Sequence, residues 1–336
     1  RSRKRSTRSS LTSQMASFGF SLVCLFAWFG LISGFLSSGP VPFAGPSTRL
    51  FGATQATQTA TDQWELDVYS RPVVDEKGKK LWELLITDSS GAFRHEEIIP
   101  SNMVNSREVR KRIEKAIDEA EVPPKTIRFF RNAMFNMINI ALSELDVNVV
   151  PSRTTYSLYE WLDQREKEVY PKMEGYKPTM VQPSFFDIKT PEKLPDALRG
   201  EQYAFVSLPA ECFRNGEIND DNIGCGKIFS LPADIPDDAM IQGMLLLSRR
   251  AGALAAWLSG LEVAYVRADL QRRDAVLETG IDTRYLMAKL RDDQRVEAQA
   301  FEQGKARMQG VHFVGVQEDP EADEVEGFWL LREAKL

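Results

Sequence analysis

Residues 64–90, WELDVYSRPVVDEKGKKLWELLITDSS, constrain this chain more than any other stretch, because they read as two strands joined by a tight turn. Alternation sets Trp64, Leu66 and Val68 on one face of the first strand, and Leu81, Trp82, Leu84, Leu85 and Ile86 make the second a largely buried run. Asp75-Glu76-Lys77-Gly78-Lys79 supplies a polar, glycine-bearing reversal between them. The chain beyond residue 90 is expected to be built onto this hairpin.

Residues 92–99 add a third short strand. Asn105 opens a helix, with Glu108 three positions on as in a capping box. Val109, Ile113, Ala116, Ile117 and Ala120 form its apolar stripe. Arg107, Arg110, Lys111 and Lys115 face outward, where a basic face either meets phosphates or is simply solvated. Pro123-Pro124 stop the helix, and residues 125–131, KTIRFFR, read as a strand. Met134, Met137, Ile138, Ala141, Leu142 and Leu145 recur at helical spacing, residues 147–150 form a strand closed by Pro151, and residues 155–170 form a last helix carrying Leu158, Trp161, Leu162 and Val169.

Strand, strand, strand, helix, strand, helix, strand, helix is the order of the ribonuclease H-like fold. A two-metal nuclease needs several carboxylates around ions about 4 Å apart. Asp67 on the first strand and Glu108 on the first helix are the available acids. Arg131 stands where a further acid is wanted, so Asp67 is expected to pair with Arg71 or Arg131 instead.

Residues 179–195 are proline-rich and aperiodic, and divide an N-terminal domain of residues 63–178 from a C-terminal one of residues 196–336. In the second, residues 203–208 read as a strand, residues 214–223 as polar loop and residues 224–231 as a second strand. Gly224-Cys225-Gly226-Lys227 lacks the full phosphate-loop spacing and is taken as a turn. The small residues of SRRAGALAAWLSGLE let a short helix lie close on a sheet, with Arg249 and Arg250 at its start placed to grip phosphate or to pair with acids. Two long strands at 261–270 and 275–286 collect Arg267, Arg272, Arg273, Arg284 and Arg291 into a cationic groove. A charged helix, a strand at 311–317, an acidic loop at 318–326 and a closing strand, GFWLL, complete the chain. Trp329 in that strand either stacks on a base or closes the core of the sheet. The expected class is α+β, with two mixed-sheet domains.

The chain has 336 residues, of which 43% are apolar and 27% charged, enough for about two domains with a real core. Cys24, Cys212 and Cys225 form no CxxC pair, and with only His95 and His312 no metal cluster or catalytic triad can be assembled from spacing; no cofactor is expected. The first 60 residues carry six cations and no acid, so the rest of a chain with net charge −6 carries −12. Residues 18–36 are an uncharged apolar run, and residues 37–61 have the Ser, Thr, Ala and Pro content of a transit peptide. Residues 1–62 thus resemble the two-part presequence of proteins bound for complex plastids, with a membrane anchor on a flexible linker as the alternative.

Ten stretches in series, WELDVYSRP, GKKLWELL, IRFFRNAM, VPSR, LYEWLDQR, FVSLP, SRRAGALAAWLSGLE, GIDTRY, HFVGVQED and GFWLL, resemble the TAB-two-like (ATAB-two) family. The resemblance implies a stromal protein without chemistry of its own that binds the single-stranded leader of plastid mRNAs and activates translation of photosystem reaction-centre subunits. It also implies that Trp329-Leu330-Leu331 serves RNA binding; Arg249, Arg250, Arg267 and Arg284 are the cations expected to help. A photosystem assembly scaffold that binds proteins is the alternative, supported by acidity. Residues 61–178 carry −3, leaving −9 for the half that holds the tripeptide, so few phosphate contacts and a shallow salt dependence are expected.

Overall fold

The computed structural model describes residues 59–178, 190–200, 202–219, 225–322 and 324–334; all but the last four residues of the expected presequence, and most of the expected linker, lie outside the described residues. Among the described residues no helix is long and apolar enough to cross a membrane.

The opening hairpin forms as its pattern requires. β1 (Gln63–Val74) and β2 (Lys80–Asp88) pair antiparallel, and Gly78 takes the positive φ of 75° that the reversal demands. β3 (Arg94–Ile99) extends the hairpin on the β2 side. Asn105 caps α1 (Ser106–Glu119), its side chain accepting from the Glu108 N–H at 3.0 Å. β4 (Thr126–Phe129) and β5 (Asn148–Pro151) then add parallel to β1, with α2 (Phe135–Leu142) between them, so the sheet order is β3-β2-β1-β4-β5. That is the strand order of a ribonuclease H-like sheet. Trp64, Leu66 and Val68 pack with Val109, Ile113 and Ala116 of α1 and with Ile138 of α2. The opposite face is covered by α3 (Tyr156–Glu168), and there the strands present Glu65, Asp67, Arg71 and Glu83, all buried.

The second half holds two sheets. One is the meander β10 (Val263–Asp269), β11 (Asp274–Thr279) and β12 (Thr283–Lys289), edged by the short β6 (Glu192–Lys193). The other runs β7-β9-β13-β14-β8, built from β7 (Gln202–Pro209), β8 (Cys225–Lys227), β9 (Met240–Leu247), β13 (Val311–Gln317) and β14 (Gly327–Arg332). A short α4 (Glu211–Arg214) follows β7, while α5 (Ala251–Ser259) and α6 (Arg295–Arg307) pack between and beside the sheets. The class is α+β with mixed sheets, as expected.

Several local expectations fail for identifiable reasons. The long strand at 275–286 is two strands, broken where Gly280 adopts φ 54°. β9, in the interior of its sheet, has no polar alternation to announce it, because both its faces are covered: Ile241 is buried on one side, Met244 and Leu246 on the other. Arg214 ends a helix instead of opening a loop, and the 224–231 strand shrinks to β8. Cys225 and Gly226 are therefore edge strand, parallel to β14, and not a turn; Gly224 lies outside the described residues.

Candidate nucleic-acid interface

The closing strand fixes where the tripeptide sits. β14 lies between β13 and β8, so its side chains alternate between two covered faces. Trp329 and Leu331 enter the core shared with α5 and β10, while Leu330 joins Phe313 and Ile241 on the other side. All three are buried, Trp329 to 5% exposure. The indole has a made seat: a Cβ at Gly327 would come within 2.7 Å of the Trp329 ring and 2.8 Å of the Ala255 methyl. The small residues of α5 therefore serve as expected, letting the helix close over this ring. Of the two places expected for Trp329, the core of the sheet is the one it takes, and residues 327–331 of β14 are buried on both sides.

The arginines expected to form a groove are each held by a carboxylate. Arg267 pairs with Glu333, Arg284 with Glu278, Arg272 with Asp269 at 3.9 Å, Arg273 with Asp292 at 2.8 Å and Arg291 with Asp293 at 3.2 Å. Arg284 is 12% exposed and Arg267 is 44% exposed. Burial alone would raise the Glu333 carboxyl, but Lys305 and Arg267 outweigh it and hold the group at about 2. Arg249 and Arg250 are exposed, at the start of α5. The strand register separates them from Arg267: Leu247 is level with Gln317 at one end of the sheet, while Arg332 and Glu333 leave it at the other, roughly 20 Å away at about 3.4 Å per residue. The five-arginine groove is thus corrected to a set of local ion pairs.

Asp67 lies where a metal ligand would stand in a nuclease of this fold. Its carboxylate accepts from Arg131 Nε at 2.6 Å and Nη2 at 3.1 Å, and from Arg71 Nη1 at 2.9 Å. Burial pushes this carboxyl up, but Arg131 and then Arg71 outweigh it and keep it below the usual range. Glu108 is not brought to it. Leu66 and Val68 share a core with α1, so Asp67 points through the opposite face, and Glu108 instead binds Arg112 and Lys111. Of the other cations of α1, Arg110 pairs with Glu144 and Lys115 with Glu119 at 3.8 Å, while Arg107 is exposed.

Sequence reasoning missed the seam between the halves. Arg153 donates to Glu278 at 2.8 Å, to the Tyr265 hydroxyl at 3.2 Å and to the Ile281 carbonyl at 2.9 Å. Arg128 and Thr154 both donate to Glu262 at 2.9 Å, and Arg332 reaches Glu160 on α3 at 2.5 Å. The available signal was a charge inside an apolar strand, Glu278 in AVLETG, since such a group is buried only with a partner.

The structure is a two-part α+β chain whose first-sheet carboxylate is held by guanidinium groups and whose halves are tied by arginine–carboxylate pairs. Family comparison gives that arrangement a lineage. Residues 63–165 match the model of the RNA-binding protein Tab2/Atab2 N terminal, and residues 181–332 match that of the RNA-binding protein Tab2/Atab2, C-terminal domain. The chain belongs to the Tab2/Atab2 family. It is 36% identical over 277 residues to the chloroplastic TAB2 homolog of Arabidopsis thaliana, covering 80% of this chain and 74% of that protein. Against the chloroplastic TAB2 homolog of Zea mays it is 34% identical over 276 residues, covering 80% and 71%. Among solved structures, the catalytic core domain of BIV integrase overlays 31% of this chain and 64% of that one, with 12% identity and a TM-score of 0.23.

Proposed function

We propose that this chain is a plastid RNA-binding protein that activates translation of photosystem reaction-centre mRNAs by holding their single-stranded leaders, and that it breaks no bond in them. Membership of a family described as RNA-binding, with relatives named chloroplastic, is the observation that carries the proposal. The transit-like composition of residues 37–61 supports import to the stroma through a presequence that ends near residue 62, ahead of domains at 63–178 and 196–336. Asp67 supports binding without cleavage, because two guanidinium groups occupy its oxygens.

In this account Trp329, Leu330 and Leu331 serve RNA binding by keeping the C-terminal sheet folded. Arg249, Arg250 and Arg267 are among the exposed cations of that half, with Arg284 held further in against Glu278. Crosslinking in the plastid followed by sequencing of the bound RNA tests the proposal. Enrichment of leader sequences of reaction-centre transcripts is the expected result; recovery of none removes it.

A further inference from the structure

The β1–β2 turn and the segment after α3 come together at one edge of the first sheet. Lys177 N–H donates to the Pro72 carbonyl at 2.7 Å, Val74 N–H donates to the Gly175 carbonyl at 3.0 Å, and Val73 bridges Tyr176. This lays residues 172–177 along the end of β1, beside the turn. Lys77, Lys79 and Lys80 from the turn and Lys172 and Lys177 from the strap are all exposed. The acids among them are Asp75, Glu76 and Glu174. Asp75 is occupied within the turn, its Oδ1 accepting the backbone N–H of Lys77 at 2.9 Å and of Lys79 at 2.8 Å. Five ammonium groups therefore face two acids whose side chains are not bound into the turn.

Aromatic rings adjoin the patch. Tyr176 is half-buried within the strap, and Trp82, two residues beyond Lys80, is half-buried and lies 6.2 Å from the Tyr69 ring. Arg131 lies over Tyr69 at 3.9 Å, but its guanidinium is held by Asp67 and is not part of the patch. Lys80 and Trp82 are spaced by roughly 7 Å at the usual rise of a strand, close to the reach of one nucleotide of an extended single strand. Cations interleaved with aromatic faces are what a single-stranded nucleic acid needs: the first meet phosphates, the second meet bases. The arrangement contrasts with the C-terminal half, where the clustered arginines each have a carboxylate, and it lies in the half with the smaller negative charge.

We propose that this edge, formed by Lys77, Lys79, Lys80, Lys172 and Lys177 with Tyr176 and Trp82, is the surface that meets the phosphate backbone of single-stranded RNA. The proposal rests on the RNA-binding function above and names its surface. RNA then lies along the turn end of the first sheet, and the buried tripeptide of β14 touches none of it.

The test uses the full chain and a fluorescein-labelled, mixed-sequence single-stranded RNA, read by anisotropy over a series of salt concentrations. The triple variant Lys77→Gln, Lys79→Gln, Lys80→Gln and, separately, the pair Lys172→Gln, Lys177→Gln are each expected to weaken binding about tenfold. Each should also flatten the slope of log K against log salt by about 0.7 for every phosphate that no longer meets a lysine. Lys111→Gln with Lys115→Gln, on the solvent side of α1, should leave both quantities unchanged. Photocrosslinking of 4-thiouridine RNA to the unaltered chain gives a check free of folding effects, with crosslinks expected in residues 69–82 and 170–178. Tight binding by both sets of variants, or crosslinks confined to the C-terminal half, overturns the surface and leaves the RNA-binding function standing. Failure of the unaltered chain to bind any RNA, including a case where only a protein partner is retained, removes both.

Discussion

The backbone N–H of Val266 donates to Nε2 of His312 at 2.8 Å, and both groups are buried. β10 is the outer strand of its sheet, and an edge normally leaves backbone groups without partners. Here the neighbouring elements supply them: His312 accepts from Val266, Lys305 Nζ donates to the Val266 carbonyl at 2.9 Å, and Glu302 accepts from Ala268 at 2.6 Å. Because Nε2 accepts, the imidazole proton sits on Nδ1, which donates to the Gly310 carbonyl at 2.8 Å. One side chain thus joins the two C-terminal sheets.

Replacing His312 by Phe strips the Val266 N–H and the Gly310 carbonyl of their partners at once. With a cost of about 1–3 kcal/mol for each buried orphan, the variant is expected to lose about 3 kcal/mol in urea unfolding. An unchanged midpoint would mean that His312 is not the joint between the sheets.

Two buried groups shape the dependence of stability on pH. Burial, reinforced by Lys305, pushes His312 down to about 3 from an ordinary 6.5, so between those values the unfolded chain takes up a proton that the folded chain refuses, and stability falls on acidification. Glu65 accepts from the Leu158 N–H at 2.7 Å, capping α3 where Thr155 makes no cap bond, and burial pushes it up to about 8 from 4.5. Its folded form keeps a proton that the unfolded form has released, so stability falls as pH rises through that window. The slopes oppose each other between 4.5 and 6.5, giving a plateau there with a decline on either side. Glu65→Gln retains an acceptor for Leu158 and should abolish the decline from 6.5 to 8; an unaltered decline would contradict the assignment.

Breaking the seam should separate the halves. Arg153→Met leaves the Ile281 carbonyl without that donor and Glu278 with Arg284 alone, and each buried group left short of a partner costs about 1–3 kcal/mol. Calorimetry is expected to show one melting transition for the unaltered chain and two for the variant. A single unshifted transition in the variant would show that the pair does not couple the halves.

The N-terminal sheet was legible because its signals are local. Asn105 with its apolar stripe, the alternation of Trp64, Leu66 and Val68, and the glycine of the turn each act over a few residues; the partner expected for Asp67, Arg71 or Arg131, turns out to be both. The C-terminal half was harder because its strands are covered on both faces, which erases the alternation that separates strand from helix in β9. Counting arginines along a sequence also says nothing of the carboxylates that fold back onto them: Glu333 lies 66 residues from Arg267. The lysines at 172 and 177 carried no signal as part of a patch, since only the strap's hydrogen bonds to Pro72 and Val74 bring them to the hairpin.

On this account the tripeptide strand serves RNA binding through the fold and not by touching RNA. The most direct measurement compares affinity for single-stranded RNA, well below the melting temperature, in the full chain carrying Trp329→Phe. The predicted result is a lower melting temperature, from the cavity left beside Gly327 and Ala255, with affinity within about twofold of the unaltered chain. Unchanged melting together with an affinity loss of about tenfold or more would contradict it.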